Sequence, residues 1–351
     1  MDFPEVYFYD ASEDEAEAAR RLIDFLKELG VDEPFVVCSK FGENLAGPLP
    51  GHRAPPRGED APLDQEWAAE LGSIAHRSGI DAVVAIGGGR TLDVAKLVAA
   101  RAGVMVVTVP TQLAHDGICS PVAVVPDETG RSESLGAVTP RGVFLSLPTL
   151  VHAPVDSVAA GIGDLLANPL ALRDWALAAE HGLEETDSRA WDLSVESFET
   201  IEPDLDRQIG GSAKDLRFYR RLADALILSG YSMIVAGSSR PASGSEHLIS
   251  HAYEQLAPAP SLHGLQVGVA TLATTWLQDN PAHATVRRVF EETGFAAYVG
   301  DNRLDRAAFV EAVGRAPTVK PDHYTVLSRP GARERLQAHL ADDPFWAAYL
   351  A

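Results

Sequence analysis

Four residues in the second half of the chain are of types that bind divalent metal ions. His247 and His251 lie four residues apart in GSEHLISHAYEQL, and in a helix this spacing places both imidazoles on one face. His263 follows in SLHGLQVGV, and Asp164 lies in GIGDLLAN. A catalytic zinc ion takes three protein ligands and keeps one position open. The four residues therefore predict a metal site but leave open which three bind, and in a chain with 11 histidines the pair can also be an ordinary hydrogen-bonded one.

A run of three glycines, Gly87 to Gly89, separates an apolar run from a segment with helical spacing. Glycines let backbone N–H groups approach an anion closely, and a helix N-terminus adds partial positive charge. The pattern therefore predicts a nucleotide-phosphate site, with Asp93 expected in the first turn of the helix as an acceptor for a cofactor hydroxyl. A tight turn that needs glycine for its conformation explains the same run equally well.

A polar loop, VPTQLAHDGICSP (109–121), directly follows a predicted strand. It carries Thr111, His115, Asp116 and Ser120 at the place where open α/β sheets bind ligands, beyond the carboxyl end of a strand. The loop is a second candidate for ligand contact. Ordinary turn and capping residues are the alternative interpretation.

The elements that must position these residues change character near residue 155. Apolar runs at 34–39, 81–86 and 104–109 alternate with helical segments at 64–79 and 91–103, which predicts a parallel sheet with right-handed crossovers. Beyond residue 155, long segments rich in Ala and Leu predict helices at 156–181, 189–201, 213–236, 245–257 and 263–278. We expect an α/β domain with a parallel Rossmann-like sheet in residues 1–155 and an all-helical domain in residues 156–351.

Composition narrows the class of partner. The chain has 351 residues and a formal net charge of −21, so its surface repels phosphate backbones and anionic membranes. Two cysteines, Cys38 and Cys119, fit a reducing compartment. We expect no signal peptide, no membrane span, no nucleic-acid partner and a cytoplasmic protein.

Six motifs in order resemble the sn-glycerol-1-phosphate dehydrogenase family, a branch of the superfamily of iron-dependent alcohol dehydrogenases and 3-dehydroquinate synthase. They are IGGGRTLDVAK (86–96), VPTQLAHDGICSP (109–121), GIGDLLANPLALRDW (161–175), GSSRPASGSEHLISHA (237–252), LHGLQVGV (262–269) and KPDHYTVL (320–327). The resemblance implies the dehydroquinate synthase-like fold.

The resemblance also implies roles for individual residues. NAD or NADP is expected at Gly87, Gly88, Gly89, Asp93, Thr111, Gln112, Ala114 and Ser120. One divalent metal ion, with zinc expected first and nickel or iron as alternatives, is expected at Asp164, His247 and His263. Substrate contacts are expected from Asp116, Asp164 and His251, with Asp116 and His251 as catalytic residues.

The implied reaction is interconversion of dihydroxyacetone phosphate and sn-glycerol 1-phosphate, or of a related phosphorylated or phosphonate carbonyl compound. We expect a homodimer, because dimers are the commonest oligomers. Arg240 can bind a substrate phosphate, although an arginine before proline at a helix entry is as often structural. The family usually has His-Gly-Glu-Gln where this chain has Leu265 after Gly264, and usually has small residues at Gln112 and Leu113. These differences permit specialisation for another phosphorylated or phosphonate carbonyl compound.

Two other classes of function stay open. One is a metal- and NAD-dependent sugar-phosphate cyclase like 3-dehydroquinate synthase. That group relies on several basic residues, and beyond residue 41 this chain has only three lysines, Lys96, Lys214 and Lys320. The other is a non-catalytic binding protein, which the retention of every expected metal ligand disfavours.

Overall fold

The structure, a computed structural model, describes residues 3–11, 14–55, 63–206, 209, 215–257, 261–300 and 303–351. The chain divides into two compact units. The N-terminal unit comprises Met1–Leu113, Gly117–Pro154 and Asp215–Arg220, and the C-terminal unit comprises Ala114–Asp116, Val155–Lys214 and Arg221–Ala351.

The N-terminal unit is built on a six-stranded sheet in which every pairing is parallel. Its order is β1-β8-β5-β4-β2-β3, and a separate antiparallel hairpin pairs β6 with β7. The strands are β1 Glu5–Tyr9, β2 Pro34–Cys38, β3 His52–Arg53, β4 Ala82–Gly87, β5 Met105–Pro110, β6 Val122–Pro126, β7 Ser132–Gly136 and β8 Gly142–Ser146. The central strands β4 and β8 are buried along their whole length, which explains their continuous apolar composition.

The helices of the N-terminal unit cover this sheet with apolar faces. They are Glu15–Glu28, Glu43–Ala46, Gln65–Arg77, Gly89–Ala102 and Leu147–Leu150. In Glu15–Glu28, Leu22 and Phe25 are buried, and the Phe25 ring lies 6.0 Å from that of Phe144 in β8. Asp14 caps this helix by accepting a hydrogen bond from the Ala16 N–H at 2.9 Å.

The C-terminal unit is helical. Its helices are Val155–Leu165, Asn168–Glu180, Ser188–Ile201, Leu216–Ala236 from Arg221 onward, Ser245–Glu254, His263–Leu277, His283–Glu292, Phe295–Gly300, Arg306–Arg315 and Ala332–Asp342. The predicted fold class, a parallel α/β part followed by a helical part, is confirmed.

The single helix predicted over 156–181 is wrong. The chain forms two helices that break after Leu165, where the Ala167 N–H donates to the Asp164 carbonyl in a tighter turn, and Pro169 lies in the first turn of the second helix. Proline is tolerated there because its missing N–H has no partner inside the helix. The stretch Val155–Glu180 is long and apolar enough to cross a membrane, but 83 % of its apolar window is buried inside the protein, as in a core helix.

Candidate metal and cofactor sites

Two helices of the C-terminal unit approach each other closely at glycines next to predicted metal ligands. A Cβ atom added to Gly264 would lie 2.0 Å from the Ala160 carbonyl oxygen, and one added to Gly163 would lie 2.1 Å from the Gly264 carbonyl oxygen. Only glycine fits at such a contact. The close crossing positions the neighbouring residues, Asp164 on one helix and His263 on the other.

These glycines bring together the three residues predicted to bind metal. One potential ligand atom from each of Asp164, His247 and His263 lies within 4.8 Å of the others, and Asp164 Oδ1 lies 3.5 Å from His247 Nε2. Tetrahedral bonds of about 2.0–2.2 Å place two ligand atoms roughly 3.4 Å apart. The geometry of this group therefore fits a zinc-like ion.

Two carboxylates not predicted from the sequence lie beside the Nδ1 atoms of the two histidines. Glu246 is fully buried, and its Oε1 lies 2.7 Å from His247 Nδ1. Glu254 Oε1 lies 3.6 Å from His263 Nδ1, with Ser250 Oγ at 3.3 Å from the same nitrogen. A carboxylate on one ring nitrogen orients the other nitrogen toward a metal and fixes its tautomer.

A second group of residues also has the composition of a metal site. His251, Glu254 and His263 each offer a ligand atom within 4.8 Å of the others, with His251 Nδ1 3.8 Å from Glu254 Oε2. His263 belongs to both groups. In this second group, the Glu254 carboxylate lies near the imidazoles of both His251 and His263.

Burial and hydrogen bonding shift the pKa values of these acids and histidines in opposite directions. Burial disfavours charge on Asp164 and His247, but their mutual hydrogen bond outweighs it, lowering the pKa of Asp164 and, together with Glu246, raising the pKa of His247 to about 10. Burial lowers the pKa of His251 to about 4 in spite of the nearby Glu254. The pKa of Glu254 is lowered because both neighbouring histidines outweigh its burial. His251 is therefore neutral near pH 7.

Asp116 and His115, from the polar loop, are grouped with these residues. The Asp116 N–H donates to Asp164 Oδ2 at 3.0 Å, and Asp116 Oδ2 accepts from Ser229 Oγ at 2.8 Å. The ring centroid of His115 lies 6.3 Å from that of His263. The predicted substrate contacts Asp116, Asp164 and His251 thus lie around one cluster of imidazoles and carboxylates.

The glycine turn in the N-terminal unit has an ordinary backbone. Gly87 ends β4, Gly88 precedes the helix with φ −80° and ψ 177°, and Gly89 begins it, and none of the three has positive φ. A side chain at Gly88 would have to displace the flexible end of Gln112, because a Cβ there would lie 2.6 Å from Gln112 Nε2. The conformation of the turn does not require glycine, and the free backbone fits an anion site.

The end of the neighbouring strand β5 lies beside this turn. The Thr111 N–H donates to the Gly87 carbonyl at 3.0 Å, so Thr111 and Gln112 both contact the glycine turn. Ser120 is also buried in the N-terminal unit, whereas Ala114 is grouped in the C-terminal unit. The structure thus brings five of the predicted cofactor residues together, the three glycines of the turn with Thr111 and Gln112.

The predicted position of Asp93 in the first helical turn is wrong. The helix begins at Gly89, two residues before the predicted start, so Asp93 lies in the second turn. Its Oδ1 lies 3.2 Å from Lys96 Nζ, and its Oδ2 accepts from the Val124 N–H at 3.0 Å. With both oxygens engaged inside the protein, Asp93 has a structural role, and its cofactor contact stays a prediction.

Sequence reasoning missed Glu246 and Glu254. Both are close to histidines in the sequence: Glu246 precedes His247, and Glu254 follows His251 by three residues, which places it on the same helix face. Adjacency to a metal-type histidine was the available signal for both. Glu254 also lies beside His263, which belongs to another helix, and the sequence gives no signal for that pairing.

The fold is that of the iron-containing alcohol dehydrogenases. Residues 50–154 match the iron-containing alcohol dehydrogenase family. A probable glycerol dehydrogenase from Sinorhizobium meliloti superposes with a TM-score of 0.72 at 20 % identity, covering 99 % of this chain and 98 % of that one. A butanol dehydrogenase from Thermotoga maritima, described as NADH-dependent, superposes with a TM-score of 0.70 at 13 % identity, covering 100 % and 98 %.

Sequence relatives narrow this class. The glycerol-1-phosphate dehydrogenase [NAD(P)+] of Thermococcus kodakarensis is 37 % identical over 253 residues, which are 72 % of this chain and 71 % of that protein. The protein of the same description from Cenarchaeum symbiosum is 34 % identical over 79 % of this chain and 77 % of its own. The chain belongs to the glycerol-1-phosphate dehydrogenase family, and the family predicted from the six motifs is confirmed.

Proposed function

We propose that this protein is a metal-dependent NAD(P)(H) oxidoreductase that interconverts dihydroxyacetone phosphate and sn-glycerol 1-phosphate. Family membership supports the reaction type, and the observation that carries the proposal is the group formed by Asp164, His247 and His263. The cyclase alternative is not favoured, because the curated relatives are described as dehydrogenases.

Asp164, His247 and His263 are the proposed metal ligands. Their spacing fits the ion, and each histidine has a carboxylate at its other ring nitrogen, Glu246 for His247 and Glu254 for His263. A bound divalent ion would supply Lewis-acid polarisation of the substrate carbonyl. We expect zinc, with nickel or iron as alternatives.

The two candidate groups make opposite predictions for two isosteric substitutions. If the proposed ligands bind, Asp164→Asn abolishes stoichiometric metal, whereas Glu254→Gln lowers metal affinity by about 10- to 100-fold, as loss of an outer carboxylate does. Metal content after dialysis against a graded chelator, with folding checked by circular dichroism, distinguishes them. Stoichiometric metal in Asp164→Asn together with its complete loss in Glu254→Gln would place the ion in the second group instead.

The glycine turn is the proposed cofactor site. Its contacts are expected from Gly87, Gly88, Gly89, Asp93, Thr111, Gln112, Ala114 and Ser120. The nicotinamide of NAD or NADP would supply the hydride acceptor or donor. The position of the turn between β4 and the start of the helix Gly89–Ala102 supports backbone contact with the pyrophosphate.

His251 is proposed to exchange the substrate hydroxyl proton. Its pKa of about 4 leaves it neutral at physiological pH, and its Nδ1 side faces Glu254, which leaves Nε2 for the exchange. A neutral imidazole accepts the hydroxyl proton during alcohol oxidation and returns it during ketone reduction. Asp116, fixed by Ser229 and by Asp164, is proposed to hold the substrate by accepting from its hydroxyl groups.

The reaction is tested by NAD(P)H absorbance with dihydroxyacetone phosphate. A stoichiometric fall in absorbance supports the proposal. Consumption of a phosphorylated substrate at constant absorbance would favour a cyclase, and an inert protein that still binds nucleotide would be a binding protein.

The remaining proposals concern organisation. We propose that residues 1–155 form the NAD(P)-binding domain and residues 156–351 the metal- and substrate-binding domain of a cytoplasmic homodimer. Light scattering on the purified protein tests the dimer, and cell fractionation tests the location.

A further inference from the structure

Three basic side chains of the C-terminal unit lie near one another, and none of them is a predicted metal ligand. Arg240 lies in the segment before the helix Ser245–Glu254, and Lys320 and His323 lie in KPDHYTVL. We call these three residues the cationic cluster. Arg240 is 2 % exposed, and the other two are partly buried. A protein with a net charge of −21 has little reason to bury cations together unless an anion compensates them.

Arg240 is held firmly but keeps part of its donor capacity. Its Nε donates to the Glu184 carboxylate at 2.7 Å, and its Nη2 donates to the same carboxylate and to the Tyr324 carbonyl at 3.0 Å. A guanidinium has five N–H donors, so these bonds leave the two on Nη1. Nη1 is buried and has no hydrogen-bond partner among the residues that the structure describes.

The other two members of the cluster also have unused capacity. His323 Nδ1 is buried without a hydrogen-bond partner in the described parts of the chain, and the hydrogen bond found for Lys320 Nζ is a long one of 3.4 Å to Ser239 Oγ. Burial and Arg240 together lower the pKa of Lys320. Burial, Lys320 and Arg240 lower the pKa of His323 to about 4. Burial is the larger cause of both shifts and the neighbouring positive charges add to it, and a bound anion would offset both effects.

One buried carboxylate ties the cluster to the start of the metal-bearing helix. Asp174 Oδ2 accepts from the Ser245 N–H at 2.7 Å, two residues before His247. Asp174 Oδ1 accepts from the Val326 N–H at 2.8 Å, three residues after His323. The segment that carries Lys320 and His323 is thereby fixed beside the helix that carries His247.

We propose that the cationic cluster binds the phosphate group of the substrate, a phosphomonoester dianion, while the carbonyl end lies at the metal ligands. This inference rests on the proposed function. Arg240 Nη1, Lys320 Nζ and His323 Nδ1 supply charge-assisted donors for the three terminal oxygens. Glu184 keeps Arg240 in place, so arginine here is both structural and phosphate-binding.

The test compares Lys320→Met with Arg288→Gln, an exposed control that removes the same charge from the helix His283–Glu292. In Lys320→Met, we expect KM for dihydroxyacetone phosphate to rise about tenfold or more, since a hydrogen bond to a charged group contributes about 1.5–3 kcal/mol. The kcat/KM for unphosphorylated dihydroxyacetone should stay unchanged. Lys320→Arg should restore most of the affinity, and Arg288→Gln should match the wild type.

A separate measurement with inorganic phosphate isolates the site from the reaction. Phosphate should inhibit the wild type competitively against dihydroxyacetone phosphate and should bind about tenfold more weakly to Lys320→Met by calorimetry. An unchanged KM for dihydroxyacetone phosphate in Lys320→Met, or equal losses on both substrates, would overturn the inference. A wild type that binds phosphate through Lys320 but turns over no dihydroxyacetone phosphate would refute the proposed function and keep the phosphate site.

Discussion

Gly264→Ala offers a direct test of how the fold builds the metal site. Gly264 follows His263 in the first turn of its helix, and a Cβ there would lie 2.0 Å from the Ala160 carbonyl oxygen. To reach an ordinary contact of 3.4 Å, the two atoms must separate by about 1.4 Å. Both partners are parts of helices, so a side-chain rotation cannot provide this separation.

The size of that displacement determines how much metal affinity is lost. Metal–ligand distances tolerate changes of only about 0.2 Å, so moving His263 by even part of 1.4 Å removes it from the ligand set. We expect at least a tenfold loss of metal affinity, about 1.4 kcal/mol. Overpacking should also lower the free energy of unfolding by about 1–3 kcal/mol.

The assay is metal affinity by chelator competition, with urea unfolding measured on the same metal-free samples. Gly300→Ala is the matched control, because no atom of the residues that the structure describes lies within 4 Å of a Cβ built at Gly300, and this glycine has no positive φ. Wild-type metal affinity in Gly264→Ala would refute the argument that the glycine crossing positions His263. A loss of affinity in both variants would show that the effect is not specific to the crossing.

Three further predictions concern the cofactor turn, a buried acid and the surface charge. Gly88→Val should lower nucleotide affinity by about 1.4 kcal/mol or more. The fold should be kept, because only the mobile end of Gln112 must move. Unchanged nucleotide binding by calorimetry would show that the turn is purely structural. Burial raises the pKa of Asp174 to about 6, so the native state binds its proton more tightly than the unfolded state. The contribution of Asp174 to the free energy of unfolding then falls as pH rises from about 4 to 6. In urea unfolding, Asp174→Asn should lower the free energy of unfolding by up to about 3 kcal/mol more at pH 4 than at pH 7. A loss of stability that does not depend on pH would contradict this. Raising salt from low to moderate concentration should leave KM for dihydroxyacetone phosphate flat or lower, because salt screens the repulsion from a net charge of −21, and a marked rise would contradict it.

The sequence predicted the parts of the fold that depend on local periodicity. The strands at Pro34–Cys38, Ala82–Gly87 and Met105–Pro110 are apolar and short, and the glycines after the second of them mark the turn to a helix. β1 and β8 were not identified, although β8 is buried throughout. Their parallel pairing, from Glu5 with Gly142 to Tyr9 with Ser146, joins residues far apart in the chain and has no local signal.

The candidate site was predicted by residue type more than by geometry. Asp164, His247 and His263 converge because Gly163 and Gly264 let two helices touch, a contact that spacing along the chain does not encode. The error at Asp93 has the same origin, since its partners Lys96 and Val124 are set by how the hairpin packs on the helix. The break after Leu165 was signalled by Pro169, but the apolar period on both sides suggested one helix.

The charges of the two clusters explain how one acidic protein can accept both a cation and an anion. Three carboxylates, those of Asp164, Glu246 and Glu254, lie beside the proposed metal ligands, and a divalent cation would compensate their charge. Hydrogen bonds and charge from Asp164 and Glu246 also raise the pKa of His247 to about 10 against the effect of its burial. In the cationic cluster the excess charge is positive instead. Glu184 compensates Arg240, but Lys320 has no carboxylate partner among the residues described. A phosphorylated ketone has a polarisable oxygen at one end and a dianion at the other, and the C-terminal unit holds one cluster of each kind, joined through Asp174.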